Sequence, residues 1–289
     1  MNFNVLKMNF YDKQTTLKAY LKSISADNYT IGFVPTMGAL HEGHLSLMQE
    51  SLQNNKITVV SIFVNPTQFN NPEDLKKYPR TLEIDLKKIK SLNPEIVVYA
   101  PNADDIYEGN AISKSFNYDG LEFQMEGKHR PGHFDGVGTI VKKLFEIVNP
   151  TNAYFGEKDF QQLAIVKKLV QKNKIPVHII GCEIHRESNG LAMSSRNERL
   201  SADERSKAAI IYKSLKTAKN LFDTKTASEV TKWVTETFQK QKIFTLEYFE
   251  IADEETLVTC KRKSKTKNYR AFIAVSVNNI RLIDNISLK

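Results

Sequence analysis

The chain has 289 residues, of which 41% are hydrophobic and 26% charged, with a formal net charge of +8. That is enough apolar material for one large or two medium domains, and the absence of any run of eighteen or more apolar residues predicts no membrane span. Cys182 and Cys260 lie far apart and carry no motif, which excludes a disulfide framework and predicts a cytoplasmic protein with inert thiols.

The N-terminal stretch Met1–Leu6 lacks a charged region followed by an apolar one, so no secretory leader is expected. A short helix is predicted around Thr15 to Lys22. Ile31 to Val34 then reads as a buried strand. It runs through Pro35 and Gly38 into His41-Glu42-Gly43-His44, after which Leu45, Leu47, Met48 and Leu52 approximate helical spacing. A strand, tight turn and helix in this order present backbone N–H groups and a positive helix end, which suit phosphate. Imidazoles at His41 and His44 can donate to a phosphate oxygen as charge develops, and Gly43 between them permits close approach. A zinc site is disfavoured, because no cysteine or carboxylate cluster with ligand spacing accompanies the pair.

Ile57 to Val64 is a largely β-branched run, as in a central parallel strand. Asn65 and Gln68 follow where open α/β sheets bind ligands, and both can hydrogen-bond a hydroxyl- or carboxyl-bearing substrate, with turn chemistry around Pro66 as the plainer role for Asn65. Pro72 to Tyr78 reads as loop or short helix. Thr81 to Leu92 reads as a helix carrying Asp85, a metal-ligand candidate or a surface carboxylate. A strand at Ile96 to Tyr99 precedes an irregular stretch, Pro101 to Tyr118. Glu126 to Phe134 reads as a dense loop in which Arg130 is a candidate anion ligand, and a helix is expected over 136–148.

Asn152 to Phe155 repeats the earlier logic: a strand, then Gly156-Glu157-Lys158-Asp159, then a helix carrying Gln162. Lys158 is placed to clamp a triphosphate, and Asp159 to hold a ribose hydroxyl or a metal. A strand over 175–180 completes an alternation that predicts a doubly wound, Rossmann-like parallel sheet with its site at the strands' carboxyl ends. Met193-Ser194-Ser195-Arg196 follows, with two hydroxyls and an arginine suited to phosphate oxygens. Ser201 and Glu204 form a capping-box pattern. Helices over 202–221 and 227–238 and strands over 246–251, 271–277 and 282–283 predict a smaller α+β domain, which puts domains at 1–182 and 183–289.

Most of the excess positive charge is lysine spread along helix faces, and the run Lys261 to Lys267 has no aromatic interleaving, so no nucleic-acid partner is expected. The residues alone leave nucleotide chemistry at the His41–His44 turn open beside the plainer reading of a glycine-rich turn that only shapes an α/β fold.

With these segments assembled, the chain resembles the pantothenate synthetase (pantoate–β-alanine ligase) family along nearly its whole length. The resemblance rests on Pro35 to His44, Phe63 to Phe69, Tyr78 to Thr81, Arg130 to Phe134, Phe155 to Gln162, Met193 to Asn197 and Arg281 to Asn285. It implies a nucleotidyltransferase fold with a C-terminal lid domain, ATP and Mg2+ as requirements, and a homodimer. It implies that pantoate attacks the α-phosphate of ATP, giving pantoyl adenylate and pyrophosphate, and that β-alanine then displaces AMP. By resemblance, His44 is the proton donor, and with His41, Lys158 and Arg196 stabilises phosphate charge. Met37, Gly38, Ala39, Leu40, His41, Glu42, Gly43 and His44 line ATP, as do Gly156, Glu157, Lys158 and Asp159. His185 offers a backbone contact to adenine, Met193, Ser194, Ser195 and Arg196 close over the phosphates, and Gln68 and Gln162 hold pantoate. Asp85 matches a magnesium ligand, although Ile84 beside it replaces a carboxylate.

Overall fold

The computed structural model describes residues 8–24, 29–69 and 72–289. Met1–Leu6, on which the expectation of no leader rests, lies outside the described residues. None of the described helices is long and apolar enough to cross a membrane.

The chain divides into two compact units. The first comprises residues 1–118, 130–156 and 165–182, and the second comprises 119–129, 157–164 and 183–289. Two short segments that precede residue 182 therefore pack with the C-terminal residues.

The first unit holds a six-stranded sheet of β1 (Asn9–Tyr11), β2 (Ile31–Thr36), β3 (Ile57–Ile62), β4 (Val97–Tyr99), β5 (Asn152–Gly156) and β6 (His178–Cys182). Their order is β1-β4-β3-β2-β5-β6, and every pair is parallel. The expected doubly wound sheet is therefore present, with one edge strand, β1, that three residues of weak pattern did not announce. The order reverses between β2 and β5, whose register pairs Gly32 with Asn152 and Phe33 with Ala153. Ligands in open α/β sheets bind outside the carboxyl ends at such a reversal. The two glycine turns picked out in the sequence follow these two strands.

Helices α1 (Gln14–Ile24), α2 (Glu42–Asn54), α4 (Leu82–Leu92) and α7 (His133–Val148) accompany the sheet, with shorter α3 (Pro72–Lys77) and α5 (Ala103–Tyr107). One face of the core joins Val34, Val60 and Val98 of the strands to Leu47 and Met48 of α2 and to Leu86 and Ile89 of α4. Full burial of each such side chain contributes about 1.5–3 kcal/mol, so this cluster fixes α4 against the end of β2. Glu126 to Phe134 is not one loop. It contains α6 (Met125–His129), a turn at Gly132 with φ 78°, and the start of α7.

The second unit holds an antiparallel sheet, β7 (Phe244–Asp253), β8 (Tyr269–Val277) and β9 (Ile280–Ser287). Helices α10 (Ala209–Thr224) and α11 (Ala227–Gln239) cover it. Val230, Val234 and Phe238 recur at helical spacing and are buried. The helix expected over 202–221 is two, α9 (Ala202–Lys207) and α10, separated at Ala208. The capping box is present: Glu204 N–H donates to Ser201 Oγ at 3.3 Å, and Ser201 N–H to Glu204 Oε2 at 2.8 Å. Segment 119–129 is tied to this unit by a forked ion pair, Arg281 to both oxygens of Glu126 at 2.7 Å. Tyr248 Oη donates to the same carboxylate at 2.7 Å. The Gln161 side chain, on α8 (Phe160–Asn173), donates to Leu121 O and Gln124 O and accepts from Glu126 N–H.

Candidate active site

In the first unit, the turn after β2 carries two consecutive left-handed residues, Gly38 at φ 80° and Ala39 at φ 49°. Glycine adopts this backbone freely, but alanine does so at a cost of roughly 1–2 kcal/mol. Asp85 on α4 offsets it. The Asp85 side chain is 1% exposed, and its Oδ2 accepts from Ala39 N–H at 3.0 Å and from Thr81 Oγ1 at 3.2 Å. Its Oδ1 accepts from Leu40 N–H at 2.8 Å. One turn along the helix, Lys88 Nζ donates to Leu40 O. Helix α4 thus grips both polar edges of the turn that leads into His41.

The chemistry of this donor set does not fit a magnesium ligand. Both Asp85 oxygens are committed to the turn, and among the described residues no three His, Cys, Asp or Glu side chains are grouped to hold a metal. A hard cation with octahedral demands needs oxygens that face it. The same bonds occupy the N–H groups of Ala39 and Leu40, so any contact these two make to a nucleotide runs through other atoms.

His41 precedes α2 and His44 lies in its first turn, their rings 4.0 Å apart. His41 N–H donates to His44 Nδ1 at 3.3 Å. A ring nitrogen that accepts carries no proton, so neutral His44 bears its hydrogen on Nε2. The backbone therefore selects the tautomer that donates through Nε2, and α2 adds the positive end of its dipole.

Asn65 and Gln68, after β3, have different roles. Asn65 is 1% exposed and organises its own turn. Its Nδ2 donates to Gly136 O at 3.2 Å and to Gln68 Oε1 at 3.2 Å, and its Oδ1 accepts from Thr67 and from Tyr107 Oη. Burial raises the Tyr107 phenol, so it stays a donor. Gln68 is half-buried, and its Nε2 lies 2.9 Å from Met37 Sδ. Its carbonyl accepts from Arg130 Nη2 at 3.2 Å and His133 Nδ1 at 2.8 Å. The structure thus brings Met37, Asn65, Gln68 and Arg130 together at one place. His133, which the sequence reading did not single out, locks Arg130 and Gln68 to each other.

Gly136 shows how tight this packing is. A Cβ there would lie 2.3 Å from Thr67 O and 2.8 Å from Gln68 Cα, both backbone atoms that cannot swing aside. Gly136→Ala is expected to cost about 1–3 kcal/mol by overpacking. Thermal melting checks that cost.

In the second unit, Glu157, Lys158 and Asp159 form a short 3-10 turn ahead of Gln162 in α8. Lys158 Nζ lies 3.5 Å from Asp159 Oδ2, and its side chain is 19% exposed. Gln162 is half-buried. His185 is exposed, and its carbonyl accepts from Met193 N–H at 3.0 Å. Ser194 caps the 3-10 helix Ser195–Arg199, its Oγ accepting from Arg196 N–H at 3.2 Å. Asn197, 1% exposed, anchors this loop by donating to Glu187 Oε1 at 2.7 Å and Ala192 O at 3.1 Å.

Comparisons with known proteins agree with this architecture. Residues 9–287 match the model of the family described as Pantoate-beta-alanine ligase. The chain is 76% identical over 282 residues to a pantothenate synthetase of Flavobacterium psychrophilum, covering 98% of this chain and 100% of that one. It is 52% identical over 279 residues to a pantothenate synthetase of Christiangramia forsetii, covering 96% and 98%. The solved pantothenate synthetase of Thermus thermophilus superposes with a TM-score of 0.89 at 35% identity, over 97% of this chain and 99% of that one. The Francisella tularensis pantoate-beta-alanine ligase, solved with beta-gamma ATP and beta-alanine, gives a TM-score of 0.79 at 35% identity, over 97% and 98%. A sheet of this order, a histidine pair held at the end of its second strand, and agreement over almost the full chain lead to one assignment: this chain belongs to the pantoate–β-alanine ligase family.

Proposed function

We propose that this chain condenses pantoate with β-alanine at the expense of ATP, through a pantoyl-adenylate intermediate. In the first step a pantoate carboxylate oxygen attacks the α-phosphorus. The new P–O bond forms as the bond to the bridging oxygen breaks, and pyrophosphate leaves. In the second step the amine of β-alanine attacks the acyl carbon. The C–N bond forms, AMP leaves, and the nitrogen gives up its proton. Both nucleophiles come from substrates, so the protein needs no covalent nucleophile, only alignment and charge stabilisation.

The observation that carries this reading is the His41–His44 arrangement, in which the backbone fixes His44 as an Nε2–H donor at the start of a helix. His44 then donates to an α-phosphate oxygen as charge builds there. His41, Lys158 and Arg196 stabilise phosphate charge, and Met37, Gly38, Ala39, Leu40, Glu42 and Gly43 line the nucleotide. Gly156, Glu157, Asp159, His185, Met193, Ser194 and Ser195 contribute further nucleotide contacts. Gln68 and Gln162 bind pantoate, and Arg130 supports Gln68 through its carbonyl. Magnesium would neutralise phosphate charge and would be held by groups other than Asp85, whose oxygens are engaged by the turn after β2. A cytoplasmic homodimer is part of this reading.

Pyrophosphate release tests it. With MgATP and pantoate alone, a single stoichiometric burst is expected, and β-alanine should convert it to turnover with AMP formation. Release with another acid but not with pantoate would leave an adenylylating enzyme with a different acceptor. No release with any acid would point to an inactive relative.

A further inference from the structure

The motif Arg281 to Asn285 contains no group suited to phosphate or acyl chemistry apart from its arginine, and that arginine is spent on Glu126 and Glu247. Asn285, on β9, is 1% exposed. Its Nδ2 donates to two consecutive carbonyls, Glu157 O and Lys158 O, both at 2.9 Å. Its Oδ1 accepts from Arg270 Nη1 at 2.6 Å. An arginine only donates and a carbonyl only accepts, so the orientation of the amide is uniquely determined.

The surroundings hold Asn285 in turn. Its N–H donates to Asp284 Oδ1 at 2.8 Å, and Asp284 receives the fork of Arg186 at 2.7 and 3.0 Å. The Arg186 guanidinium lies over the Tyr212 ring at 3.7 Å. Arg270 lies over the Phe160 ring at 3.9 Å and bonds Glu254 at 2.9 Å. All of these residues fall in the second unit, together with segment 157–164.

We infer that Asn285 is a positioning residue for Lys158, fixing the peptide carbonyls on either side of that lysine's place in the 157–159 turn. The inference rests on the role given to Lys158 above. A hydrogen-bonded turn limits the arc through which a side chain of four methylenes can place its ammonium. Without the two carbonyl bonds, Lys158 samples positions from which it does not meet the phosphate. Displacement of about 1 Å is enough to cost on the order of 10²-fold in a positioned reaction.

A double-mutant cycle on the full chain tests this. Asn285→Asp keeps the shape and the Arg270 contact but turns the donor into an acceptor that repels both carbonyls. It is expected to slow the single-turnover pyrophosphate burst by about 10-fold to 10²-fold at saturating ATP and pantoate. The KM for β-alanine should not change. In a Lys158→Ala background the same substitution should change the burst by less than about twofold, because residues acting through one another are not additive. Should Asn285→Asp fail to fold, Asn285→Ser, which retains one donor, runs the same cycle. Equal slowing in both backgrounds would overturn the inference and leave Asn285 a fold residue. If Lys158→Ala alone left the burst unchanged, the role of Lys158 itself would fall, a distinct result.

Discussion

His44→Ala is expected to slow pantoyl-adenylate formation by about 10²–10³-fold, because a donor aimed at developing charge contributes roughly 2.7–4 kcal/mol to the transition state. The bond from His41 N–H to Nδ1 puts the imidazole hydrogen on Nε2 before substrate arrives, so no reorganisation accompanies the reaction. The loss should fall on kcat for the pyrophosphate burst, with KM for ATP moving far less, since a donor that matters only as charge develops adds little to ground-state binding. Rapid-quench measurement of the first turnover makes the comparison. A burst at the unsubstituted rate would remove His44 from the chemistry.

Asp85→Ala is expected to destabilise the chain by about 3–5 kcal/mol, as two or three charge-assisted hydrogen bonds are lost at about 1.5–3 kcal/mol each and partly made up by solvent. Leu40 N–H is buried and has Asp85 Oδ1 as its partner, and Ala39 sits in a left-handed backbone conformation beside it. On a chain of this size the midpoint of thermal unfolding should fall by on the order of 10 °C. The KM for ATP should rise as the turn before His41 loosens. Asp85→Asn can accept only one of these bonds well and should lie in between. The Mg2+ concentration giving half-maximal rate is the discriminating readout. It should be the same for Asp85→Asn as for the unsubstituted chain. A large increase, with melting unchanged, would make Asp85 a metal ligand and not a clamp.

Much of this molecule is legible in its amino-acid sequence. The β-branched run Ile57 to Ile62 is a strand because its side chains crowd a helix and fill a sheet buried on both faces. The two strand–glycine–helix junctions were visible as changes of period, and the parallel order followed from strands alternating with helices. The capping box at Ser201 and Glu204 joins residues three positions apart, so local spacing sufficed to see it.

Other elements escaped for the opposite reason. Edge strand β1 is three residues long, too short for a period, and exists through its pairing with β4 across some ninety residues of chain. Gln161 and Gln162 are indistinguishable as letters. Burial turns the first into a clamp on Leu121 O, Gln124 O and Glu126 N–H, and leaves the second half-buried.

Local pattern was enough for the class of fold, for the family resemblance, and for the residue types proposed to meet phosphate: His41, His44, Lys158 and Arg196. Those depend on periodicity and on short motifs whose chemistry is carried by side-chain type. Long-range packing was needed to make Asp85 a grip on Ala39 and Leu40, to bring Gly136 O onto the Asn65 amide, and to make Asn285 the holder of the carbonyls of Glu157 and Lys158. Each of these is a hydrogen bond between residues dozens of positions apart. Such a bond forms where burial removes water as the competing partner, and burial belongs to the packed chain and not to any stretch of it.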